Sequence, residues 1–470
     1  MNQFRVAHSA WLSLIPGTLV LVATMWSPPL AAAMGVLLAL MVGPIRPWLF
    51  LPLLLIAGAF RQLDGILGLQ FGWSLIVGVS SGALVRVLLF GWRRSPEIHK
   101  PFAWVLGLFS LAGLGSVYLH GGNLFRLVAL LSLLAVLGYL LPVLREWSRN
   151  VDGEMTRAEL AFIVGVTSAL VFATALAGFR GSLPTDPASE LTLRLGDRSP
   201  RALANLFALG VVVSVTASME HGIGRRYQQA LLLLGAVSLG AVVYTGARMP
   251  VIAALFGVGC GLVVGSAKGR GLSLRVMRRA VVALCAVAFA LTALLTIDPQ
   301  YLPFIGQSQV EGLRLTGRGL VLAENVRWAI WSGYTSMLTA TQWIIGSGPG
   351  NFQDLLGASG FGRERYPHSQ FIGVLAGFGL LGLGALLSML IWVGRVAWTA
   401  KSAMSFAILA FTALNYSTSG DFDRPDFWIS VWLAVLALHL SGVAGGAVRS
   451  RLEPSSSTSV DGSSAPQGVG

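Results

Sequence analysis

The sequence predicts an all-α, polytopic membrane protein, and its composition, its hydropathy and its long apolar runs each support that fold class. Of the 470 residues, 54% are hydrophobic and only 11% are charged, with a mean hydropathy of +0.72. A soluble globular protein carries roughly 25% charged residues, so this composition excludes an ordinary cytosolic enzyme, a disordered protein and a nucleic-acid-binding module. The apolar runs are long and unbroken by charge, which favours membrane-spanning helices over the alternating strands of an outer-membrane barrel.

About fourteen apolar segments are candidates for membrane-spanning helices. They lie at 10–26, 28–43, 47–60, 66–92, 101–119, 124–143, 158–179, 201–219, 229–245, 249–266, 280–297, 369–394, 403–417 and 427–444. The third and the thirteenth are short for a bilayer that needs about 20 residues per helix, so twelve spans is the alternative count. The first segment resembles a signal peptide, but the many apolar segments that follow it favour a first transmembrane helix.

The distribution of Lys and Arg predicts how the chain is oriented in the membrane. The net charge is +13, from 33 Lys and Arg against 20 Asp and Glu. With the N-terminus in the cytoplasm, more than half of these cations fall in loops on the cytoplasmic side, as the positive-inside rule requires. An even number of spans then places both termini in the cytoplasm. Most of the positive charge is explained by topology, so the sequence predicts no nucleic-acid partner.

Segment lengths divide the chain into five parts. These are N-terminal transmembrane helices at 1–200, transmembrane helices carrying a turn at Arg248 at 201–297, a long outer (periplasmic) loop at 298–368, C-terminal transmembrane helices at 369–450, and a tail at 451–470. Loops beyond about 15 residues are usually functional or disordered, and this loop lacks the composition of a disordered segment. Within it, residues 327–345 are predicted to form an amphipathic helix at the membrane surface, whereas the Ser-, Gly- and Pro-rich tail is predicted to be disordered.

The acidic residues and the cysteines limit the chemistry that the membrane part can perform. All 20 Asp and Glu fall in or beside predicted loops, whereas an ion-coupled transporter usually needs a carboxylate within a span. This distribution counts against a non-enzymatic polysaccharide or lipid transporter, which is the alternative from another functional class. Cys260 and Cys285 lie inside apolar runs, so the sequence predicts neither a disulfide framework nor a metal site.

Arginines on the outer side are candidate phosphate ligands. Positive charge is disfavoured on that side of the membrane, so arginines that are present there suggest a function. Arg248 lies in a tight turn between two predicted helices, and Arg318 and Arg327 lie in the long loop. A guanidinium group stays charged and forks onto phosphate oxygens, so a cluster of them suits a lipid-linked pyrophosphate in the outer leaflet. The alternative is that each arginine pairs with a carboxylate of the loop, such as Glu311.

His368 is the candidate general base. It follows Pro367, where the chain re-enters the membrane, and precedes Ser369, which can cap the next helix. A neutral imidazole could accept a proton from a sugar hydroxyl there, and the alternative is a structural histidine at the membrane interface. The Gly- and Pro-rich segment 346–352 lacks the spacing of a P-loop or a dinucleotide fingerprint. It is predicted to be a turn that lets the surface helix double back toward His368.

Taken together, these motifs resemble the O-antigen ligase/polymerase superfamily. The resemblance covers roughly residues 244–395. It rests on the order and spacing of Thr245-Gly246-Ala247-Arg248, the Arg327-x-x-x-Trp331 pair, the Gly346–Phe352 turn and Pro367-His368-Ser369, with the long outer loop in the place where that family has it.

The resemblance implies a glycosyltransferase of a bacterial inner membrane that takes a glycan from an undecaprenyl-diphosphate carrier at the periplasmic face. It implies no metal, other cofactor or nucleotide sugar. By position, Arg248 and Arg327, with Arg318 as a further candidate, would bind the pyrophosphate, and His368 would activate the acceptor hydroxyl. Ligases pass the glycan to lipid A-core and polymerases to another lipid-linked repeat unit. Ligases commonly have Asn where this chain has Ser369, so a polymerase is the alternative within the family.

Chemical reasoning agrees with the activity that the resemblance implies. Diphosphate is a good leaving group, so the enzyme needs to neutralise it and to position a nucleophile. Attack from the opposite face would invert the anomeric centre. No pair of carboxylates at glycosidase spacing is evident, which argues against a hydrolase. The expected partners are therefore the lipid-linked donor, a lipid- or glycan-linked acceptor and the membrane lipids.

Overall fold

A computed structural model shows an all-helical membrane protein. It describes residues 7–60, 69–90, 96–150, 157–179, 201–220, 223–245, 247–266, 328, 330–352, 368–418 and 424–440. In this part of the chain 87% of the residues are helical and no strand is present. The predicted fold class is therefore confirmed.

The described helices are numbered α1 to α14 in chain order. They are α1 Ala7–Thr24, α2 Pro28–Met41, α3 Phe50–Ala59, α4 Phe71–Phe90, α5 Pro96–His120, α6 Leu124–Asn150, α7 Arg157–Phe179, α8 Arg201–Ser218, α9 Arg225–Tyr244, α10 Arg248–Ser266, α11 Ala340–Ile345, α12 Gln370–Thr399, α13 Ala403–Ser417 and α14 Pro425–His439. A 3-10 turn at Pro47–Leu49 leads into α3. Residues 330–336 form a further helical segment, the loop helix.

Within the described residues, six helices contain an apolar stretch long enough to cross a bilayer, and seven more are apolar but shorter. The predicted spans agree with these helices to within a few residues at most ends. The predicted span at 280–297 lies outside the described residues. The pattern of apolar helices is that of a multi-pass membrane protein.

Two of the short helices, α3 and α14, lie inside the bundle. All ten residues of α3 are buried, and so are the residues of α14 from Pro425 to Ala437. Trp428 and Trp432 of α14 are the two largest fully buried side chains of the described core. A helix that is apolar on every face is expected to be enclosed by protein. Enclosure also explains how α3 can be shorter than a bilayer, because its residues are surrounded by protein rather than by lipid.

Antiparallel packing brings the ends of several helices together. A Cβ on Gly257 of α10 would lie 2.9 Å from the Cβ of Phe411, and one on Gly261 would lie 3.1 Å from the carbonyl oxygen of Ala403. As the position advances along α10, its neighbour in α13 therefore recedes. Short connections make hairpins of α12 with α13 and of α13 with α14. Consequently α10, α12 and α14 all begin at one end of the bundle, the loop end.

Candidate active site at the loop end

The turn between α9 and α10 places the backbone of Arg248 at the first position of α10. Thr245, just after α9, is buried, and its hydroxyl accepts a hydrogen bond from the Ala247 N–H at 3.3 Å. The same hydroxyl donates to the carbonyl of Val242. Thr245 therefore fixes the path of the chain into α10, and α10 begins with Arg248 at the loop end.

His368 lies one residue ahead of the N-cap of α12. The N-cap is Ser369, as predicted, and its hydroxyl accepts a hydrogen bond from the Ile372 N–H at 3.5 Å. The side chain of His368 is half-buried, and its backbone has φ = 53°. This left-handed conformation is uncommon for residues other than glycine, and strained backbone clusters at functional sites. The conformation is thus an observation in favour of a functional role over a structural one.

The glycine turn, residues 346–352, packs directly on α12. Ser347 is buried, and its backbone N–H and its hydroxyl both donate to the Ala376 carbonyl, at 2.8 and 3.0 Å. The prediction that this segment lets the loop double back is consistent with this docking. The contact point is about two helical turns into α12, beyond the end that carries His368.

Close backbone contact between the glycine turn and α12 depends on two glycines. A Cβ on Gly346 would lie 2.5 Å from the carbonyl carbon of Gly377. α12 also leaves helical geometry at Gly379, where φ is 63° and ψ is −162°. The predicted span at 369–394 agrees with α12, and the kink at Gly379 is a feature that the sequence did not predict. Only glycine adopts such a conformation at low cost.

The other side of the glycine turn packs on the connection between α5 and α6. Asn351 donates from Nδ2 to the carbonyl of His120 at 3.0 Å and to that of Ser347 at 2.8 Å. The Asn123 N–H donates in return to the carbonyl of Pro349 at 2.6 Å. The glycine turn is therefore bonded to α12 and to the α5–α6 connection at the same time.

One buried side chain anchors the loop helix to the glycine turn. Tyr334 is fully buried, its hydroxyl lies 3.0 Å from the Ser347 hydroxyl, and its ring centroid lies 4.6 Å from that of Phe352. Burial raises the pKa of Tyr334 to about 12, although the hydrogen bond to Ser347 lowers it somewhat. Tyr334 therefore stays protonated near neutral pH. It joins Ile330 and Leu338 in a small apolar cluster separate from the main core.

The prediction of a single surface helix over 327–345 is wrong, because two helical segments occupy the part of this range that is described. The loop helix ends at 336 and α11 begins at Ala340. Between them Thr339 forms a capping box: its hydroxyl accepts from the Gln342 N–H at 3.3 Å, and its own N–H donates to Gln342 Oε1 at 3.0 Å. A threonine hydroxyl favours the start of a helix over its interior, which explains the interruption.

A cluster of buried polar side chains joins α8, α13 and α14 at the loop end. The carboxylate of Asp426 accepts hydrogen bonds from Nε and Nη2 of Arg424 at 3.0 and 2.7 Å. Asn205 and Tyr416 donate to the same carboxylate at 2.7 and 2.9 Å, and Asn415 donates to Asn205 at 2.9 Å. The sequence places Asp426 beside a loop. The structure adds that its charge is buried and compensated, as a charge within a membrane protein must be.

The structure describes two of the four predicted site residues and leaves the other two outside the described residues. The backbone of Arg248 and the residue His368 both lie at the loop end, at the beginnings of α10 and α12. Arg318 and Arg327 lie outside the described residues. Their role in binding pyrophosphate, like that of Arg248, stays a prediction. The described part of the chain holds no group of three or more His, Cys, Asp or Glu side chains that could bind a metal ion.

Sequence reasoning missed the side chains that assemble the loop on the bundle. One signal could have found Tyr334, since Ile330, Tyr334 and Leu338 repeat at a spacing of four residues and form an apolar stripe on one face of a helix. No comparable signal marks Ser347 or Asn351, because their partners are distant in the sequence.

These features define a polytopic helical membrane protein in which the described loop residues 330–352 pack against helices at one end of the bundle. Residues 230–387 match the family model described as O-antigen ligase, which confirms the resemblance to the O-antigen ligase-like superfamily. No match is found among curated proteins. The family match and the apolar helices indicate a multi-pass bacterial membrane protein with an O-antigen ligase-like activity.

Proposed function

We propose that this protein transfers a glycan from an undecaprenyl-diphosphate carrier to an acceptor hydroxyl at the periplasmic face of the inner membrane. The observation that carries the proposal is the family match, because residues 230–387 include all four candidate residues, Arg248, Arg318, Arg327 and His368. The shared loop end of α10 and α12 supports it. One substrate could contact both helix ends there.

In the proposed reaction His368 accepts the proton of the acceptor hydroxyl. The hydroxyl oxygen attacks the anomeric carbon of the donor sugar, so a new C–O bond forms as the C–O bond to the diphosphate breaks. The electron pair of the broken bond stays on the diphosphate oxygen. Attack from the face opposite the leaving group inverts the anomeric centre, and His368 returns its proton to solvent. The products are the glycosylated acceptor and undecaprenyl diphosphate.

The arginines are proposed to stabilise the negative charge of the leaving diphosphate. Arg248 and Arg327, with Arg318 as a further candidate, would fork onto its oxygens. The beginning of α10 adds to this effect, since the N-terminus of a helix carries a partial positive charge and free N–H groups. Charge stabilisation and positioning then suffice, and the reaction needs no metal ion.

Transfer by His368→Ala and Arg248→Lys variants tests the proposal. Loss of a general base lowers a rate by roughly 100-fold or more, so we expect His368→Ala to remove nearly all transfer. We expect Arg248→Lys to weaken binding of undecaprenyl diphosphate, because one ammonium group cannot supply a fork. Transfer would be measured with the purified protein in nanodiscs and an undecaprenyl-diphosphate-linked glycan donor.

Matched controls lie at the opposite end of the bundle. His439 ends α14 and Arg395 lies near the end of α12, and we expect His439→Ala and Arg395→Lys to transfer normally. Near-normal transfer by His368→Ala would remove the base from the mechanism. Unchanged affinity of Arg248→Lys for undecaprenyl diphosphate would leave that arginine with a structural role only.

A polymerase is the second candidate function, because Ser369 stands where ligases commonly have Asn. The two activities differ in the acceptor that receives the glycan. In a deletion strain, loss of a ligase leaves the lipid A-core unsubstituted while lipid-linked polymer accumulates. Loss of a polymerase leaves single repeat units. A transporter would move its substrate without making a glycosidic bond, so no product would form in the purified assay.

A further inference from the structure

We infer that α11 and the glycine turn form a re-entrant element, which enters the membrane leaflet at the loop end and contacts lipid acyl chains through Ile344. The sequence predicts instead a helix that lies on the membrane surface over 327–345. Three observations carry the inference: the depth of α11 beside α5 and α12, the enclosure of the glycine turn, and the exposure of Ile344. The contact joins protein to lipid and does not depend on the proposed transfer reaction.

The contact of α11 with α12 places the end of α11 at membrane depth. A Cβ on Gly379 would overlap the carbonyl of Ile344, so the two backbones touch there. Gly379 lies sixteen residues before Arg395, which is about 24 Å of helix. Arg395 is exposed near the opposite end of α12, and the cost of a charge within lipid keeps it near or beyond the edge of the hydrocarbon core. Since that core is about 30 Å thick, Gly379 and the end of α11 fall inside it.

The contact of α11 with α5 gives a consistent depth. Ile345 Cδ1 would lie 3.8 Å from a Cβ on Gly115. Gly115 comes three residues before Tyr118, and therefore about 4.5 Å further from the loop end of α5. Tyr118 is 87% exposed, and tyrosine is enriched where the membrane meets water. The end of α11 thus lies below the interfacial level that Tyr118 marks.

The glycine turn meets the condition that a membrane sets for backbone outside a regular helix. Such backbone is tolerated at membrane depth where protein encloses it and its polar groups are bonded. Residues 346–349 are all buried. The Ser347 N–H donates to α12, the Pro349 carbonyl accepts from the Asn123 N–H, and the Ser347 carbonyl accepts from Asn351 Nδ2. A turn in water could leave these groups to the solvent, so their enclosure favours a position within the membrane.

Ile344 continues the apolar surfaces of the two helices that α11 contacts. It is 54% exposed. Leu380, directly after Gly379 in α12, is 52% exposed, and Leu114, directly before Gly115 in α5, is 54% exposed. Apolar side chains exposed on membrane-spanning helices face acyl chains. Because α11 touches both helices beside these leucines, acyl chains are the partner that fits the exposed side chain of Ile344.

The loop helix differs from α11 in the polarity of its exposed face. Ser332 and Ser336 are exposed and lie on the face opposite Tyr334, since they are two residues away from it on either side. Serine side chains suit contact with water or lipid headgroups, whereas Ile344 suits contact with hydrocarbon. The two segments are therefore expected to lie at different levels, with the loop helix at the surface and α11 dipping below it.

The accessibility of nitroxide labels tests these levels directly. The variants Ile344→Cys, Leu380→Cys and Ser336→Cys are labelled in nanodiscs, after Cys260 and Cys285 are replaced by alanine. Oxygen concentrates in hydrocarbon and a nickel chelate in water, so the ratio of their collision rates with the label reports its surroundings. We expect the oxygen-to-nickel ratio at position 344 to match that at 380, the lipid reference, and to exceed that at 336 several-fold.

Two results of this measurement would overturn the inference. A ratio at position 344 as low as that at 336 would place the end of α11 in water. A ratio at 336 as high as that at 380 would embed the loop helix as well, so that α11 would not dip below it. Neither reading depends on glycan transfer, so failure of the proposed function would leave both expectations unchanged.

A charge substitution tests the same contact without a label. Ile344→Asp would place a carboxylate among acyl chains, which is costly, so we expect its melting temperature in nanodiscs to fall by several degrees or more. Ser336→Asp is the matched control and should melt like the wild type. An exposed side chain in water tolerates aspartate, so an Ile344→Asp protein as stable as Ser336→Asp would contradict the contact with lipid.

Discussion

At the scale of single residues, backbone conformation separates His368 from its surroundings. Among the described residues, His368 and Lys401 are the non-glycine residues with positive φ, at 53° and 51°. Lys401 follows Ala400, the C-cap of α12, where a left-handed residue is a common way to end a helix. His368 precedes an N-cap, where no such residue is needed. The strain at His368 therefore calls for a local reason, and a base held in one orientation would be such a reason.

Replacement of His368 by glycine should separate stability from transfer. Glycine adopts positive φ without strain, so we expect His368→Gly to keep or raise the free energy of unfolding, by up to about 1 kcal/mol, while transfer is lost. Lys401→Gly is the matched control, with the same change of conformational preference and unchanged transfer. Thermal unfolding in detergent and the transfer assay measure both. A His368→Gly protein that transfers glycan normally would show that the strained histidine has no part in the reaction.

At the scale of elements, α12 and the glycine turn form one unit. The turn reaches the helix through Gly346, and the helix accommodates it through Gly379. Each of these positions has positive φ and backbone neighbours where a Cβ would be. The unit places the two helical segments of the loop against α12, and His368 lies just before the N-cap of the same helix. The geometry of the loop end thus depends on two positions without side chains.

Alanine substitutions along α12 test this dependence. A Cβ on Gly379 would overlap the carbonyl of Ile344 and lie 2.5 Å from the backbone N of Gly346, at φ = 63°. We expect Gly379→Ala to lower the free energy of unfolding by about 2 kcal/mol or more. A Cβ on Gly384 would meet no atom within 4 Å, so Gly384→Ala should be neutral or stabilising by up to about 1 kcal/mol. Equal melting temperatures for the two variants would contradict this account of α12.

The difference between what the sequence predicts and what it misses follows from the range of the interactions. The spans were predictable because a long apolar run is by itself sufficient to indicate a membrane-spanning helix. The Ser369 cap was predictable because its partner Ile372 is only three residues away. The break at Gly379 depends on a segment more than thirty residues earlier in the chain. Nothing local distinguishes it from a glycine in a regular helix. The position of Arg248 and His368 at one end of the bundle was predictable from the order of the spans, whereas the packing of the loop helix through Tyr334 was not. The roles of the candidate site residues stay predictions.

At the scale of the whole molecule, a buried polar cluster around the Arg424–Asp426 ion pair joins helices from both halves of the chain. Asp426 begins α14, Asn205 lies in the first turns of α8, and Tyr416 lies near the end of α13. Asn205 and Tyr416 both contact the carboxylate of Asp426, whose charge Arg424 balances. The cluster lies at the loop end, so buried hydrogen bonds fix α8, α13 and α14 to one another at the end of the bundle where α10 and α12 begin.

Removal of one partner of this ion pair should lower the free energy of unfolding more than replacement of both partners by apolar residues does. Asp426→Asn removes the charged carboxylate that the guanidinium of Arg424 contacts, and removal of one partner of a buried pair costs about 3–5 kcal/mol. Replacement of both, as Arg424→Met with Asp426→Leu, removes the buried charge altogether and should recover much of that loss, although Asn205 and Tyr416 then lose their acceptor. Thermal unfolding of the single and double variants measures the difference. If the double variant is as unstable as Asp426→Asn, the neutral hydrogen bonds of the cluster, rather than its charges, hold α8, α13 and α14 together.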